Sequence, residues 1–275
     1  MSAVARRAAG TGARAFVGVS LKLYLSHDAT LSWSQAVRDL ALRRAPAVRD
    51  RVELVVLPAL TALAPVSEIL RPAGIALGAQ DLWVEERGPF TGEVSGADLA
   101  AIGCRFAEIG HAERRRLFAE TDELVGRKVA AATRSGLTPL LCVGEDERCS
   151  AKAAADRCVV QLRAALEAGA AAPPEEVVVA YEPVWAIGAE AAAPPAHIVA
   201  VCTAIKEWAL REQSAPLVRV VYGGTAGEGL IARLGGAVDG LFLGRCAHDP
   251  ARLFGVIDEV VATTFSPADL DAPAR

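Results

Sequence analysis

A carboxylate, Glu182, stands at the end of the apolar run Val177-Val178-Val179-Ala180-Tyr181, and Pro183 follows it at once. Such a run reads as a buried strand. Proline cannot continue a central strand, so the strand stops where the carboxylate is presented. Apolar residues up to Gly188 and an alanine-rich piece ending at Pro194-Pro195 come next. They read as a lid with an apolar tip between two proline-bounded hinges. Water exclusion under such a lid raises a carboxyl pKa towards that of a general base. The alternative is a solvated glutamate at an ordinary strand–loop junction. Three further groups have complementary chemistry. His111 offers an imidazole to a carbonyl oxygen, and Lys22 offers positive charge. Gly223-Gly224 and Gly244 offer bare backbone amides that a phosphate can approach closely. A Glu base with a His electrophile suits proton abstraction next to a carbonyl. Taken singly, Lys22 also reads as a solvated charge, His111 as a hydrogen-bonded structural histidine, and the glycines as plain turns.

Eight short apolar runs position these residues. They are 16–21, ending at Lys22; 52–57, stopped by Pro58; 75–80; 104–109, ending at Gly110-His111; and 137–143, ending at Gly144-Glu145. The sixth leads to Glu182, the seventh (217–222) to Gly223-Gly224-Thr225, and the eighth (238–243) to Gly244-Arg245. Helical patterns cover about 31–43, 62–70, 122–135, 151–168, 196–213 and 250–263 between and after them. Ser95 is placed to cap a helix with Asp98 in its first turn, and Gly136 and Gly169 to end two others. Eight βα units predict an α/β fold, a closed parallel (β/α)8 barrel as a single domain over 15–264. An open doubly wound sheet is the runner-up, but no GxGxxG follows the first strand. In the barrel, all strand C-termini share one face, so the cation, imidazole, carboxylate and glycines converge there.

Composition excludes several classes. The 275 residues carry a net charge of −4 with no basic stripe, which argues against nucleic acid. No apolar run reaches about 18 residues, so no membrane span is expected. The six cysteines form no CxxC pair or Cys/His cluster. They read as reduced structural thiols of a cytoplasmic protein, with no metal site. Residues 1–14 are Ala/Arg/Gly-rich without acids and are expected to be a disordered tail rather than a transit peptide. Residues 265–275 read as a polar C-terminal tail.

The segment Tyr181-Glu182-Pro183-Val184-Trp185-Ala186-Ile187-Gly188 resembles the base-and-lid motif of the triosephosphate isomerase family. Ile109-Gly110-His111-Ala112-Glu113-Arg114-Arg115 resembles that family's histidine motif. Gln80, Phe90-Thr91-Gly92-Glu93, Cys142-Val143-Gly144-Glu145 and Tyr222-Gly223-Gly224 fit in the same order, so the resemblance covers 16–262. It implies a TIM barrel and a cofactor-free aldose–ketose isomerase of small sugar phosphates. The implied reaction converts dihydroxyacetone phosphate to glyceraldehyde 3-phosphate through an enediolate, in glycolysis and gluconeogenesis. Glu182 would be the base, His111 the neutral electrophile, and Lys22 the source of positive potential, held by Glu113 in the free enzyme. Gly188, Gly223, Gly224 and Gly244 would line the phosphate. The loop 81–93 would make a homodimer by reaching the partner near its first-strand lysine, with Thr91 at the contact.

The departures from that pattern concern the substrate. Ser20 stands where the family has Asn, Leu21 where it has Trp, Asp81 where it has Asn, and Ala112 where it has Ser. Ala191-Ala192-Ala193 keeps only the last residue of the usual Lys-Thr-Ala, and Thr225 replaces a serine. Arg245 takes the place of the second glycine after strand eight; it can fork onto a phosphate or crowd it. Ser20 with Arg245 resembles a branch of the family that isomerises four-carbon ketose phosphates such as L-erythrulose 1-phosphate. That substrate is the alternative to the triose, and a non-catalytic barrel kept for binding is the third reading.

Overall fold

The computed structural model describes residues 14–167, 173–212 and 217–265. Strands β1 (Ala15–Ser20), β2 (Val52–Leu57), β3 (Ala76–Ala79), β4 (Cys104–Ile109), β5 (Thr138–Val143), β6 (Glu176–Tyr181), β7 (Leu217–Tyr222) and β8 (Gly240–Leu243) pair in sequence order into a closed parallel barrel. Ser20 lies opposite Leu57, and Tyr181 opposite Tyr222, so the strand ends come level at one face. The expected tails, 1–14 and 265–275, lie outside the described residues except for Arg14 and Phe265, as does Gly169.

Alternation along each strand sorts the side chains into two sets. Phe16, Val55, Leu57, Ala76, Phe106, Leu140, Cys142, Val178, Ala180, Val221 and Phe242 form one cluster, which fills the barrel. The intervening residues, such as Val17, Val19, Val56, Leu141, Val179 and Leu243, pack in a second cluster with helix residues such as Val37, Val66, Val129, Leu162, Ile198 and Val256. By the same alternation Ser20, Glu108 and Glu182 continue the inner set at the mouth of the barrel. All three are buried.

The helices start and stop where local chemistry dictates. Ser95 Oγ accepts the Asp98 N–H at the head of Gly96–Ile102. Gly136, at φ +73, ends the helix Asp122–Arg134. Some elements differ from the sequence reading. The first helix, His27–Leu42, begins earlier because Ser26 Oγ caps it through the Ala29 N–H. Strand β3 ends before Gln80, whose amide turns instead to the carbonyls of Leu57 and Lys22 (2.9 and 3.1 Å). Strand β8 starts after Asp239, whose carboxylate accepts the Val220 N–H at 2.7 Å. Two short helices were not expected, Pro46–Arg51 and Ala112–Phe118. The first has Pro46 at its opening position, where a missing N–H costs nothing. The second is capped by His111 itself. Among the described residues no helix is long and apolar enough to cross a membrane.

Candidate active site

The face formed by the strand C-termini opens into a cavity of about 1290 Å³, lined among others by Ser20, Lys22, His111, Glu182, Gly224 and Arg245. Lys22 leaves β1 with φ +48, a left-handed conformation that is strained for a residue with a side chain. Gln80 holds its carbonyl there. The strained turn aims the ammonium at the pocket, where Nζ donates to Glu113 Oε1 at 2.8 Å and lies 3.3 Å from His111 Nε2. Burial lowers the Lys22 pKa, but the Glu113 bond and charge, with Glu182 and Glu108, outweigh it, so the net shift is upward. Lys22 is a cation through the neutral range.

His111 is the N-cap of Ala112–Phe118, and its Nδ1 accepts the Glu113 backbone N–H at 3.1 Å. A nitrogen that accepts carries no proton, so the proton of the neutral ring sits on Nε2, which faces the cavity. Burial, then the Lys22 charge, lowers the imidazole pKa to about 4. His111 is therefore a neutral donor, suited to polarise a carbonyl without giving up a full proton beforehand.

Glu182 follows β6, and its Oε2 lies 3.4 Å from His111 Nε2. That oxygen is buried and makes no hydrogen bond among the described residues. Burial first, then the Glu108 charge, pushes its pKa well above the ordinary carboxylate range, against the opposing pull of Lys22. Two glycines make the position possible. A Cβ at Gly144 would meet the Glu182 carbonyl oxygen at 2.1 Å, and one at Gly223 would meet Glu182 Oε1 at 2.6 Å. An under-solvated carboxylate facing a neutral imidazole N–H across a gap, beside an ammonium, can take a proton from carbon while the developing oxyanion is stabilised.

Beyond Glu182 the loop 183–194 lines the cavity and is tied down at several points. Trp185 Nε1 donates to the buried Glu145 (2.9 Å), which also accepts from the Tyr181 hydroxyl (3.1 Å) and lies 3.3 Å from His197 Nε2. Thr225 Oγ1 contacts the carbonyls of Ala186 and Ala189, and Tyr222 OH accepts the Ala193 N–H at 3.0 Å. Arg245, the first residue of the short turn Arg245–His248, donates from Nη2 to the Gly188 carbonyl at 2.9 Å. Asp249 does not pair with it; it caps the last helix through the Ala251 N–H instead. Gly188, Gly223, Gly224 and Gly244 line the same cavity. Thr91 is exposed on the loop 81–93, far along the chain from these groups.

Three features escaped the reading from sequence. Glu145 and His197 anchor the first hinge from distant segments. Tyr222 anchors the second. Glu108 lies beneath the floor of the site, bonded to Ser20 at 2.9 Å. Only Glu108 had a usable signal: in Phe106-Ala107-Glu108 the alternation sends an acid to the inside of the barrel.

Comparison with known proteins agrees with the geometry. A sequence model described as triosephosphate isomerase matches residues 15–260. A relative named L-erythrulose-1-phosphate isomerase, from Pectobacterium atrosepticum, is 49% identical over 244 residues, covering 88% of this chain and 94% of the relative. A triosephosphate isomerase from Symbiobacterium thermophilum is 42% identical over 208 residues, 72% of this chain and 80% of its own length. One from Magnetococcus marinus is 37% identical over 257 residues, 90% and 99% of the two chains. The chain belongs to the triosephosphate isomerase family of sugar-phosphate isomerases.

Proposed function

We propose that the protein isomerises a tetrulose phosphate, L-erythrulose 1-phosphate, without a cofactor. The observation that carries this reading is the 49% identity, across 94% of its length, to a relative of that name. The triosephosphate isomerases compared stand at 42% and 37%. In this substrate C1 bears the phosphate ester, so only C3 has both a proton and a free hydroxyl beside the C2 carbonyl. The reaction is then ketose to ketose rather than aldose to ketose. Glu182 removes the C3 proton while the Nε2–H of His111 bonds the C2 oxygen and Lys22 offsets the negative charge of the enediolate. Glu182 returns the proton to C2, the C2 oxygen keeps a proton, and the C3 oxygen loses one. The carbonyl ends on C3, which gives a tetrulose 4-phosphate. The amides of Gly188, Gly224 and Gly244, with Gly223 beside them, hold the phosphate, and Glu113 holds Lys22 while the site is empty. The loop 183–194 excludes water and protects the enediolate.

A homodimer through the loop 81–93 completes the reading. Pro89 and Thr91 are exposed on that loop, while Trp83 and Phe90 pack on each other with ring centroids 5.6 Å apart. Leu23, Leu117 and Phe118 are also exposed, and together these apolar groups support a partner surface. The six free cysteines support a cytoplasmic location.

The deciding experiment is kcat/KM for L-erythrulose 1-phosphate and for dihydroxyacetone phosphate on one preparation. A higher value for the tetrulose supports the proposal. A higher value for the triose returns the protein to triosephosphate isomerisation, the reading favoured by the family-wide match.

A further inference from the structure

A buried carboxyl that the isomerisation does not use lies under the site. Glu108 continues the inner row of β4 after Phe106, within a barrel otherwise filled by Leu57, Leu140, Cys142, Ala180 and Phe242. Among the described residues it has one hydrogen-bond partner, Ser20 Oγ, which donates to its Oε2 at 2.9 Å. The bond runs across the mouth of the barrel from β1 to β4, the strands that deliver Lys22 and His111. An acid buried in apolar surroundings for a single hydrogen bond is costly and calls for a reason.

The reason lies in what the bond does to Ser20. A serine hydroxyl has one proton to donate and two lone pairs to accept with. While ionised, Glu108 can only accept and takes the proton, so Ser20, which lines the cavity, turns only acceptor capacity towards a ligand. Burial pushes the Glu108 pKa up to about 7, so this holds on the alkaline side of neutrality. It repels a carbonyl or enediolate oxygen and welcomes a hydroxyl. A phosphate held by the Gly188, Gly223–Gly224 and Gly244 end leaves the rest of the substrate extending past Glu182 towards β1 and β4. A triose phosphate has two non-phosphate oxygens, both needed by the carbonyl chemistry at His111 and Lys22. A tetrulose phosphate has one more, a terminal hydroxymethyl at the end away from the phosphate.

We propose that Ser20 and Glu108 form the subsite for that terminal hydroxyl, with Ser20 accepting its hydrogen bond and Glu108 acting as the positioning residue that fixes the direction of the serine proton. The proposal rests on the tetrulose-phosphate reading and names the side chains behind it. Glu108 touches no reacting atom; its whole effect passes through Ser20.

The test is the ratio of kcat/KM for L-erythrulose 1-phosphate to that for dihydroxyacetone phosphate, in wild type, Ser20→Ala, Glu108→Leu, Glu108→Gln and the Ser20→Ala/Glu108→Leu double variant. Triose turnover serves as the internal measure of an intact barrel and base. Glu108→Leu and Ser20→Ala are each expected to lower the ratio about tenfold, one hydrogen bond's worth. Glu108→Gln keeps an oxygen that accepts from Ser20 and should hold the ratio within about threefold of wild type. The double variant should be no worse than Ser20→Ala, because the two residues act as one unit. Should Glu108→Leu not fold, Ser20→Ala against Glu108→Gln decides in the same sense. Equal losses on both substrates, additive losses in the double variant, or a ratio that falls with Glu108→Gln would overturn this subsite while leaving the tetrulose reading intact. A wild type that prefers the triose overturns both.

Discussion

His111 Nε2 and Glu182 Oε2 face each other at 3.4 Å, a donor and an acceptor that make no hydrogen bond to each other. The separation leaves Oε2 unsatisfied in a buried place, which is how a weak base becomes a stronger one. Glu182→Gln should therefore reduce kcat by about 10²–10⁴-fold, the usual contribution of a positioned base. The same substitution should raise the thermal midpoint at pH 8. The folded-state pKa of Glu182 is raised, so its ionisation becomes a growing cost as pH rises above the unfolded value near 4.3. Glutamine is never charged and escapes that cost. A midpoint at pH 8 equal to or below wild type would contradict the desolvated-base account.

His111 should stay neutral, protonated on Nε2, well below the ordinary histidine range. Nitrogen NMR on imidazole-labelled protein should show the Nε2–H tautomer at pH 5.5, since burial and Lys22 depress the pKa to about 4. The sign for stability is opposite to that of Glu182. A lowered folded pKa contributes stability that is present above about 6.5 and is lost as pH falls towards 4. His111→Gln should lower kcat about 10²–10³-fold by removing the oxyanion donor, while making stability less steep over pH 6.5 to 4. An imidazolium signal at pH 6 would sink the neutral-electrophile role.

Six of the eight strands were legible because residues with their own reason to stop a strand follow them: Pro58, Gly110, Gly144, Pro183, Gly223 and Gly244. His111 and Glu182 were legible because they stand against such stops, His111 just after Gly110 and Glu182 just before Pro183, while Lys22 was read from its place at the end of the first apolar run. The helix Ala112–Phe118 was hidden because its cap is a histidine, a residue assigned to chemistry rather than to helix starts. The left-handed backbone of Lys22 has no signature in residue type, since nothing in lysine favours φ +48. The hinge network could not be read locally either. Glu145 meets Tyr181, Trp185 and His197 at separations of 36, 40 and 52 residues, contacts that only the closed barrel creates.

Light scattering should return twice the chain mass. The loop 81–93 is long for a βα connection, and it holds itself together through the Trp83 N–H on the Val94 carbonyl at 2.8 Å and the Trp83–Phe90 contact. Pro89 and Thr91 are left at its exposed tip. Thr91→Arg should place an unpartnered charge at the contact, produce monomer, and lower kcat by about tenfold or more through the strained Lys22 turn. An unchanged dimer with unchanged kcat would put the interface elsewhere.

Arg245 and Ser20 lie on the same cavity but should govern different properties of catalysis. The Arg245 guanidinium is exposed and reaches the Gly188 carbonyl at the tip of the loop 183–194. From there it can move onto a phosphate that displaces it, a charge-assisted contact that solvent weakens. The phosphate is common to triose and tetrulose substrates. Arg245→Gly should thus raise KM for both by about the same factor, on the order of tenfold, and the rise should shrink in high salt. Ser20→Asn does the reverse. It replaces a hydroxyl committed to Glu108 by a larger amide that carries its own donors. It should cut tetrulose-phosphate turnover and spare or improve triose-phosphate turnover, with little change in salt dependence. Steady-state kinetics of both variants with both substrates, at low and high ionic strength, separates the two ends. A substrate ratio that follows Arg245 rather than Ser20 would move the discrimination to the phosphate end of the site.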